Sequence, residues 1–554
     1  MWSNLSTEEL TNKITETIKK VEFIKSTEVI GKFINIKLNY SKIVPIIFEE
    51  ITNLNATFGA FRDDNPIVIV IDYSASNVAK NMTAAHLRST IIGQSLMHIH
   101  EFSGNIPFGI NHIGDWGTQF GQIIYQYKKE FEENGNNFTE ELHKNPTVTL
   151  MKIYRDFNEN IEKDPSSTKT AQQIFFDLEQ GNEEYIKLWE QFRKWSLDEF
   201  EEIYKLLNIK FDSIQGESFY EDRISQAIEE GLNKNVLKKD DKGSVIFPSQ
   251  LLVDPVTGVK NDKIMINHEG KEKNEIIVKP NGGSVYLTRD IAAIRYRIKD
   301  LGAEKILYVI GKEQTNHLLE LFAISDQLDY AKLGQALQVT NGHLNISGKK
   351  MKSREGKVIL LKDIINDSIK AAKDMLINRK KKNDSSEKLT DQEDEIAMKV
   401  GISSVIFNDL KQSREKDIEF DPDFAKTVEA GSSAYIQYTN ARLNSLINKI
   451  PDGIADYSKN IEDDLLNPNE KLLIFMLSQF PKIVSESAQT NHPHKIATYL
   501  TEICQLFNLI YAEIPILKEE NESLKQFRLK LVYSAKQVIE NASKLLLIQL
   551  PEKM

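Results

Sequence analysis

The sequence predicts an α/β body built on a parallel sheet, followed by an all-α bundle. Three stretches carry that reading. Pro66 introduces Ile67–Ile71, five consecutive β-branched residues of the kind that forms a strand buried on both faces. After a polar loop, His86–Phe102 sets Leu87, Ile91, Leu96 and Ile99 at helical spacing, and a second strand pattern follows at Ile106–Asn111. Strand, helix and strand in that order make a right-handed crossover between parallel strands. From about Asp394 onward the pattern is almost purely helical, with apolar faces at Leu472, Leu473, Phe475 and Met476, then at Leu500, Ile503, Phe507 and Ile510.

The remaining elements follow in chain order. Residues 1–65 form a short α/β appendage: a polar helical start, a strand at Phe33–Tyr40 where alternate residues are polar, and a helix over Tyr40–Asn55. The α/β body covers 66–393. Within it, residues from about 128 to 210 are charged and helical in pattern, an insertion between two halves of the sheet. The β pattern returns at Ser284–Leu287 and Ile306–Ile310, with a helix over Arg289–Ile298 between them. The bundle takes 394–554. The basic run Arg379–Lys382, followed by Asn383, Asp384, Ser385 and Ser386, reads as a solvated loop.

Composition narrows the class of protein. A chain of 554 residues with 40% hydrophobic and 27% charged residues is ordinary for a soluble globular protein of several domains. No apolar run approaches the length of about 18 residues that spans a bilayer, and the polar N-terminus lacks an apolar leader. The chain is therefore expected to stay in the cytoplasm. The single cysteine, Cys504, rules out an intrachain disulfide and a zinc site built on several thiolates, and it reads as a buried core thiol. A net charge of −11 does not suggest a nucleic-acid binder, but RNA contact needs only a local basic track.

Chemistry concentrates in Ile71-Asp-Tyr-Ser-Ala-Ser-Asn-Val-Ala-Lys-Asn-Met-Thr-Ala-Ala-His-Leu-Arg-Ser-Thr90. This stretch puts a small-residue loop and a histidine between a buried strand and a helix N-terminus. Unpaired N–H groups and the helix dipole favour anions there, and Ala84 and Ala85 let a nucleotide approach the backbone. An ordinary strand–helix connection would look the same from this segment alone.

Further motifs follow it: Asn111-His-Ile-Gly-Asp-Trp-Gly-Thr-Gln-Phe-Gly121, Tyr286-Leu-Thr-Arg-Asp-Ile-Ala-Ala-Ile-Arg-Tyr296, Gly311-Lys-Glu-Gln-Thr-Asn-His317, Met351-Lys-Ser-Arg-Glu-Gly356, Tyr435-Ile-Gln-Tyr-Thr-Asn-Ala-Arg442 and the closing Pro551-Glu-Lys-Met554. In content and order, from about Phe33 to the C-terminus, the set resembles the arginyl-tRNA synthetases. The first motif holds the class I "HIGH" element, and the Met351 motif resembles the "KMSKS" loop as that family writes it.

The resemblance implies a Rossmann-type catalytic domain with helical insertions and a helical anticodon-binding bundle. It also implies the reaction: L-arginine and ATP form arginyl-adenylate, and the arginyl group then passes to tRNA with release of AMP and pyrophosphate. Family behaviour further implies a need for cognate tRNA in the first step, with a monomer as the default state. Asp72 and Asp290 would bind the substrate guanidinium, with Tyr286 one helical turn from Asp290; Asn77 would hold the α-amino end, and Gln314 completes the arginine pocket. Two carboxylates reading a planar, always-charged group from different edges give strong selection. His86, Lys350, Ser353 and Arg354 would face the phosphates, and magnesium would bridge phosphate oxygens without a protein cage. Ala84, Ala85, Gly342 and Met351 would lie against ATP. Tyr435, Gln437, Tyr438 and Arg442 would stack on and bond anticodon bases; His494, Lys495 and Tyr499 on a later helix have the same mix, which fits core packing equally well.

Three departures from the family pattern stand out. Thr83 replaces the first histidine of the "HIGH" element, and Ala85 replaces a glycine against which adenine packs. A methyl group there costs on the order of ~1 kcal/mol unless the loop shifts. Ser353 replaces the second lysine of the "KMSKS" loop, and Lys80, just before the "HIGH" element, is expected to take over its phosphate contact. The N-terminal region is shorter than in the bacterial members it resembles, and that region usually contacts the tRNA elbow. Two alternatives remain at this level: a tRNA-binding paralogue without catalysis, and a related class I enzyme or adenylyltransferase acting on another substrate.

Overall fold

A computed structural model describes residues 6–31, 33–60, 65–161, 164–248, 274–280, 282–346, 360–383, 388–450 and 461–554. The chain divides into two compact units. One comprises Arg62–Lys370 and Gln412–Pro422; the other comprises Met1–Phe61, Ala371–Lys411 and Asp423–Met554. The N-terminal segment thus groups with the C-terminal helices, and the helical unit begins at Ala371, ahead of the expected 394.

The first unit is built on a five-stranded parallel sheet in the order Ala336–Asn341, Lys305–Gly311, Val68–Asp72, Ile106–Asn111, Ser213–Ile214. The β-branched run forms the central strand, and Ile69, Val70 and Ile71 are buried. The helix predicted between the first two strands runs over Ala84–Phe102. Strand order reverses beside Val68–Asp72, which opens a crevice at the carboxyl ends where open α/β sheets bind ligands. The predicted insertion consists of four helices, Thr118–Lys144, Pro146–Asn160, Ser166–Glu179 and Glu183–Leu207. Their core, which includes Phe120, Phe138, Leu150, Phe175 and Phe192, is continuous with Val78, Ala79 and Ile113 of the α/β body.

One strand was misread. Ser284–Leu287 is a loop running into the helix Tyr286–Lys299, and the strand lies upstream at Glu275–Val278. The Thr288 hydroxyl accepts from the Val285 N–H at 2.9 Å and itself bonds the Ile277 carbonyl. That cap converts an alternating pattern into a helix start. The basic run was also misread, because Arg379 lies within the helix Leu361–Asn383.

In the second unit the hairpin Ile24–Ile30 and Phe33–Leu38 leads into the helix Tyr40–Leu54. Phe48 packs near Phe527 with ring centroids 5.8 Å apart, and Phe58 stacks on Phe480 at 6.3 Å. Asn541 Nδ2 donates to the carbonyls of Asn55 and Phe58 at 3.0 Å each. The helices Ser433–Ile447, Pro468–Thr490, His494–Glu513 and Glu522–Leu545 form the bundle. Cys504 is fully buried in it, and Tyr499 is a core residue whose hydroxyl donates to the Met476 carbonyl at 2.8 Å. Among the described residues no helix is long and apolar enough to cross a membrane.

Candidate active site

The loop leaving the central strand is held in a conformation that side chains disfavour. Ser74, Ala75 and Ala79 have φ values of 75°, 53° and 61°, in the left-handed region. Such strain persists only where neighbours over-determine the backbone. Here the Ser74 N–H donates to Ser89 Oγ at 3.0 Å, the Ala75 N–H to Asn111 Oδ1 at 3.1 Å, and the Ala79 N–H to Ser196 Oγ at 2.9 Å. The Tyr204 hydroxyl joins Ser74 Oγ at 2.8 Å to Asn111 Nδ2 at 3.0 Å. The inserted helix Glu183–Leu207, which carries Ser196 and Tyr204, is therefore part of what shapes the loop.

A cavity of about 710 Å³ opens beside this loop. Its walls include Asp72, Asn77, Tyr286, Asp290 and Gln314, the five residues expected to hold arginine, together with Ala85, His86 and Gly342 from the expected nucleotide set. Asp72 ends the central strand, and its Oδ2 stands 2.8 Å from Nη2 of the buried Arg297. Asp290 accepts from His317 Nε2 at 2.6 Å. Burial works against the Asp290 charge, but the His317 hydrogen bond and the nearby His112 and Arg297 hold its pKa below the usual carboxylate value. His317 moves the other way: burial would depress it, yet Asp290 raises it.

A third carboxylate, Glu217, lines the same cavity and is buried. Burial lifts its pKa to about 7, although Arg289 and a hydrogen bond from Tyr286 pull it down. Arg289 Nε is 3.0 Å from Glu217 Oε2. Sequence reasoning missed Glu217 because it lies in a short 3-10 turn after the insertion, where no periodicity marks it. It also missed His112, Arg297 and the role of His317, although all but Arg297 fall within motifs already singled out.

At the nucleotide end, Thr83 caps the helix Ala84–Phe102. Its N–H donates to His86 Nδ1 at 3.0 Å, and its hydroxyl lies 3.1 Å from the same nitrogen. Burial keeps the His86 pKa low. A neutral ring that accepts at Nδ1 carries its proton on Nε2, which leaves Nε2–H as a donor. Thr83 and Ala84 do not line the cavity; the Thr83 hydroxyl is engaged in the cap. Nor does Lys80, whose ammonium lies over the Tyr154 ring, 5.1 Å from its centroid. Gly342 does line it, and its missing side chain has a packing cause: a Cβ there would stand 2.5 Å from the Lys416 carbonyl oxygen. Lys350, Met351, Ser353 and Arg354 lie outside the described residues.

In the helical unit a second cavity, of about 510 Å³, is bounded by Tyr438, Arg442, Tyr511 and the chain end at Lys553 and Met554. The Arg442 guanidinium lies over both tyrosine rings, 5.1 Å from the centroid of Tyr438 and 4.6 Å from that of Tyr511. Arg379 approaches Tyr438 at 5.6 Å. Tyr435 is half-buried and lies outside this cavity. Gln437 corrects the sequence reading. It is fully buried, and its amide donates to the carbonyls of Lys399 at 3.3 Å and Gln549 at 2.7 Å, so it is a packing residue.

Comparison with known proteins agrees with this geometry. Residues 53–422 match the family model described as the catalytic domain of class I (R) tRNA synthetases, and residues 436–554 match the DALR anticodon binding domain. An arginine–tRNA ligase of Alkaliphilus metalliredigens is 32% identical over 99% of this chain and 90% of its own length. One from Bacillus thuringiensis is 33% identical over 96% of the chain and 88% of its length. In fold, the chain is similar to the crystal structure of arginyl-tRNA synthetase from Plasmodium falciparum (TM-score 0.76, 23% identity, 98% of this chain and 89% of that one). The Thermus thermophilus arginyl-tRNA synthetase gives a TM-score of 0.77 at 18% identity, covering 98% and 91%.

Proposed function

Because the chain belongs to the arginine-specific class I tRNA synthetases, we propose that the cavity at the carboxyl ends of the sheet is where it binds arginine and ATP. The chain is an arginine–tRNA ligase that consumes ATP. The observation that carries the site reading is the convergence of Asp72, Asp290 and Glu217 on one cavity that also takes in the N-terminal turn of the helix Ala84–Phe102. A guanidinium suits the acidic end, and phosphates suit the helix end.

The reaction needs no covalent enzyme intermediate. The arginine carboxylate attacks the α-phosphorus of ATP and pyrophosphate leaves; a hydroxyl of the terminal tRNA ribose then attacks the adenylate carbonyl and AMP leaves. Protein groups position these partners and offset charge. Asp72 and Asp290 take the guanidinium with Tyr286, Asn77 and Gln314 hold the rest of the amino acid, and His86 offers Nε2–H to phosphate. Ala85 packs against the nucleotide. Magnesium brought with ATP would offset phosphate charge and would be held by the phosphates and water in place of a protein cage. Tyr438, Arg442 and Tyr511 form the platform for an anticodon base, through stacking and guanidinium contacts.

A paralogue without catalysis finds no support, since the relatives matched across nearly the whole chain are arginine–tRNA ligases. Arginine-dependent ATP–pyrophosphate exchange, with and without tRNA bearing an arginine anticodon, tests the proposal. Exchange that requires tRNA supports both the site and the tRNA-dependent first step. Saturable exchange unaffected by Asp72→Asn and Asp290→Asn would overturn the site assignment.

A further inference from the structure

A guanidinium stands directly behind the wall of the proposed arginine pocket. Arg297 is fully buried. Its Nη2 stands 2.8 Å from Asp72 Oδ2 and 3.0 Å from His112 Nδ1, and its planar group lies over the Tyr308 ring at 5.1 Å. The Tyr220 hydroxyl is a further partner of the guanidinium. The side chain is thus fixed by one carboxylate, one imidazole, one phenol hydroxyl and one aromatic face. Burying an arginine in this way is costly unless the pairing does more than neutralise charge.

We propose that Arg297 is a positioning residue for substrate arginine: it holds Oδ2 of Asp72 so that this carboxylate offers the ligand Oδ1 alone. The inference rests on the arginine-pocket reading of Asp72. The arrangement repeats at Asp290, whose Oδ2 is taken by His317 Nε2 at 2.6 Å. Each acid therefore presents one oxygen, from a different element: a strand end for Asp72, the helix Tyr286–Lys299 for Asp290. Arg297 sits two turns along that same helix from Asp290. One helix thereby supplies an acid for the substrate and the cation that aims the other acid.

The consequence is selection by spacing. Two single oxygens at a fixed separation match two N–H groups of a planar guanidinium, which carries five donors in a rigid fork. A lysine ammonium is a compact point charge without that planar fork, so a fixed pair of oxygens matches it less well. Net charge alone would favour the two cations about equally.

A double-mutant cycle on the full chain tests this, reading KM for arginine and for ATP in tRNA-supported pyrophosphate exchange. Asp72→Asn is expected to raise arginine KM roughly 100-fold. Arg297→Lys keeps the charge but loses the fork; it should raise arginine KM about tenfold, leave ATP KM within about twofold, and weaken discrimination against lysine. In the Asp72→Asn background, Arg297→Lys should add less than about twofold, because its effect runs through Asp72. Full additivity would overturn the inference, as would an unchanged arginine KM accompanied by a lower thermal midpoint. If Arg297→Lys does not fold, the pair Asp72→Asn with Arg297→Gln removes both charges together. That pair should match Asp72→Asn alone in arginine KM, and a further tenfold rise would overturn the inference. An Asp72→Asn variant with normal arginine KM would instead sink the pocket reading itself.

Discussion

Gly114 and Asn77 face each other across an isolated parallel bridge, so close that a Cβ on Gly114 would stand 2.2 Å from Asn77 Oδ1. The bridge ties the strained loop to the second motif: the Gly114 N–H donates to the Ser76 carbonyl at 3.1 Å, and the Val78 N–H to the Gly114 carbonyl at 3.0 Å. Asn77 is assigned to the α-amino end of arginine. Gly114→Ala should therefore displace it, raising arginine KM about tenfold with little change in ATP KM. Steady-state exchange kinetics check this; equal loss for both substrates would indicate general damage to the loop.

Asp290→Asn removes the charge but preserves the shape. Losing one charge-assisted hydrogen bond to a cation costs roughly 2–3 kcal/mol, or about 30–150-fold in arginine KM. ATP KM should stay within about twofold. Calorimetric titration with arginine alone and with ATP alone separates the two effects, and equal losses would remove Asp290 from its assigned role.

Glu217 makes the pocket sensitive to pH. Its pKa stands at about 7, so it loses its proton as pH rises through that value and adds a negative charge beside the guanidinium site. Arginine KM should fall several-fold as pH rises from about 6 to about 8, and Glu217→Gln should flatten that dependence. For stability without ligand the sign reverses. A carboxyl whose folded pKa lies above its ordinary value of 4.5 contributes fully below 4.5, and the contribution is lost as pH climbs to about 7. Glu217→Gln should thus raise the thermal midpoint more at about pH 8 than at about pH 5. A variant whose KM profile parallels the parent's would exclude Glu217 from the pocket.

Ala85 is exposed on the cavity wall in the first turn of its helix. If adenine packs there, Ala85→Gly should lower ATP KM a few-fold, while helix propensity costs up to ~1 kcal/mol of stability. ATP titration and a melting curve read the two effects separately. An unchanged or higher ATP KM would move adenine away from this residue.

Gln437 and Arg442 are expected to separate cleanly. Gln437→Leu removes two hydrogen bonds to part-buried carbonyls, at a cost of about 1–3 kcal/mol in stability, and should leave tRNA KM unchanged in the folded fraction. Arg442→Ala removes the cation between Tyr438 and Tyr511 and should weaken tRNA binding about tenfold. Aminoacylation kinetics with a tRNA titration, beside thermal melts, check both. A normal tRNA KM for Arg442→Ala would place the anticodon elsewhere.

Elements with strong local signals were legible from the sequence. The β-branched run, the helix after it and the second strand came out within one or two residues, because hydrophobic periodicity is written by the element itself. The misreading at Ser284–Leu287 has the opposite cause. Its alternation is local, but the Thr288 hydroxyl bonds Ile277 and Val285, and that decides the matter in favour of a helix cap.

Residue type and short-range spacing carry the parallel sheet, the helical insertion and the following bundle, and the resemblance to a known family named the acids and the histidine that line the cavity. Which groups share a wall is set by the folded chain. It brought Glu217 in beside Asp290, set Arg297 behind Asp72, withdrew Gln437 into the bundle, and left Lys80 over Tyr154. Those outcomes depend on pairings across tens to hundreds of positions, where burial and charge compensation act between elements that no local pattern relates.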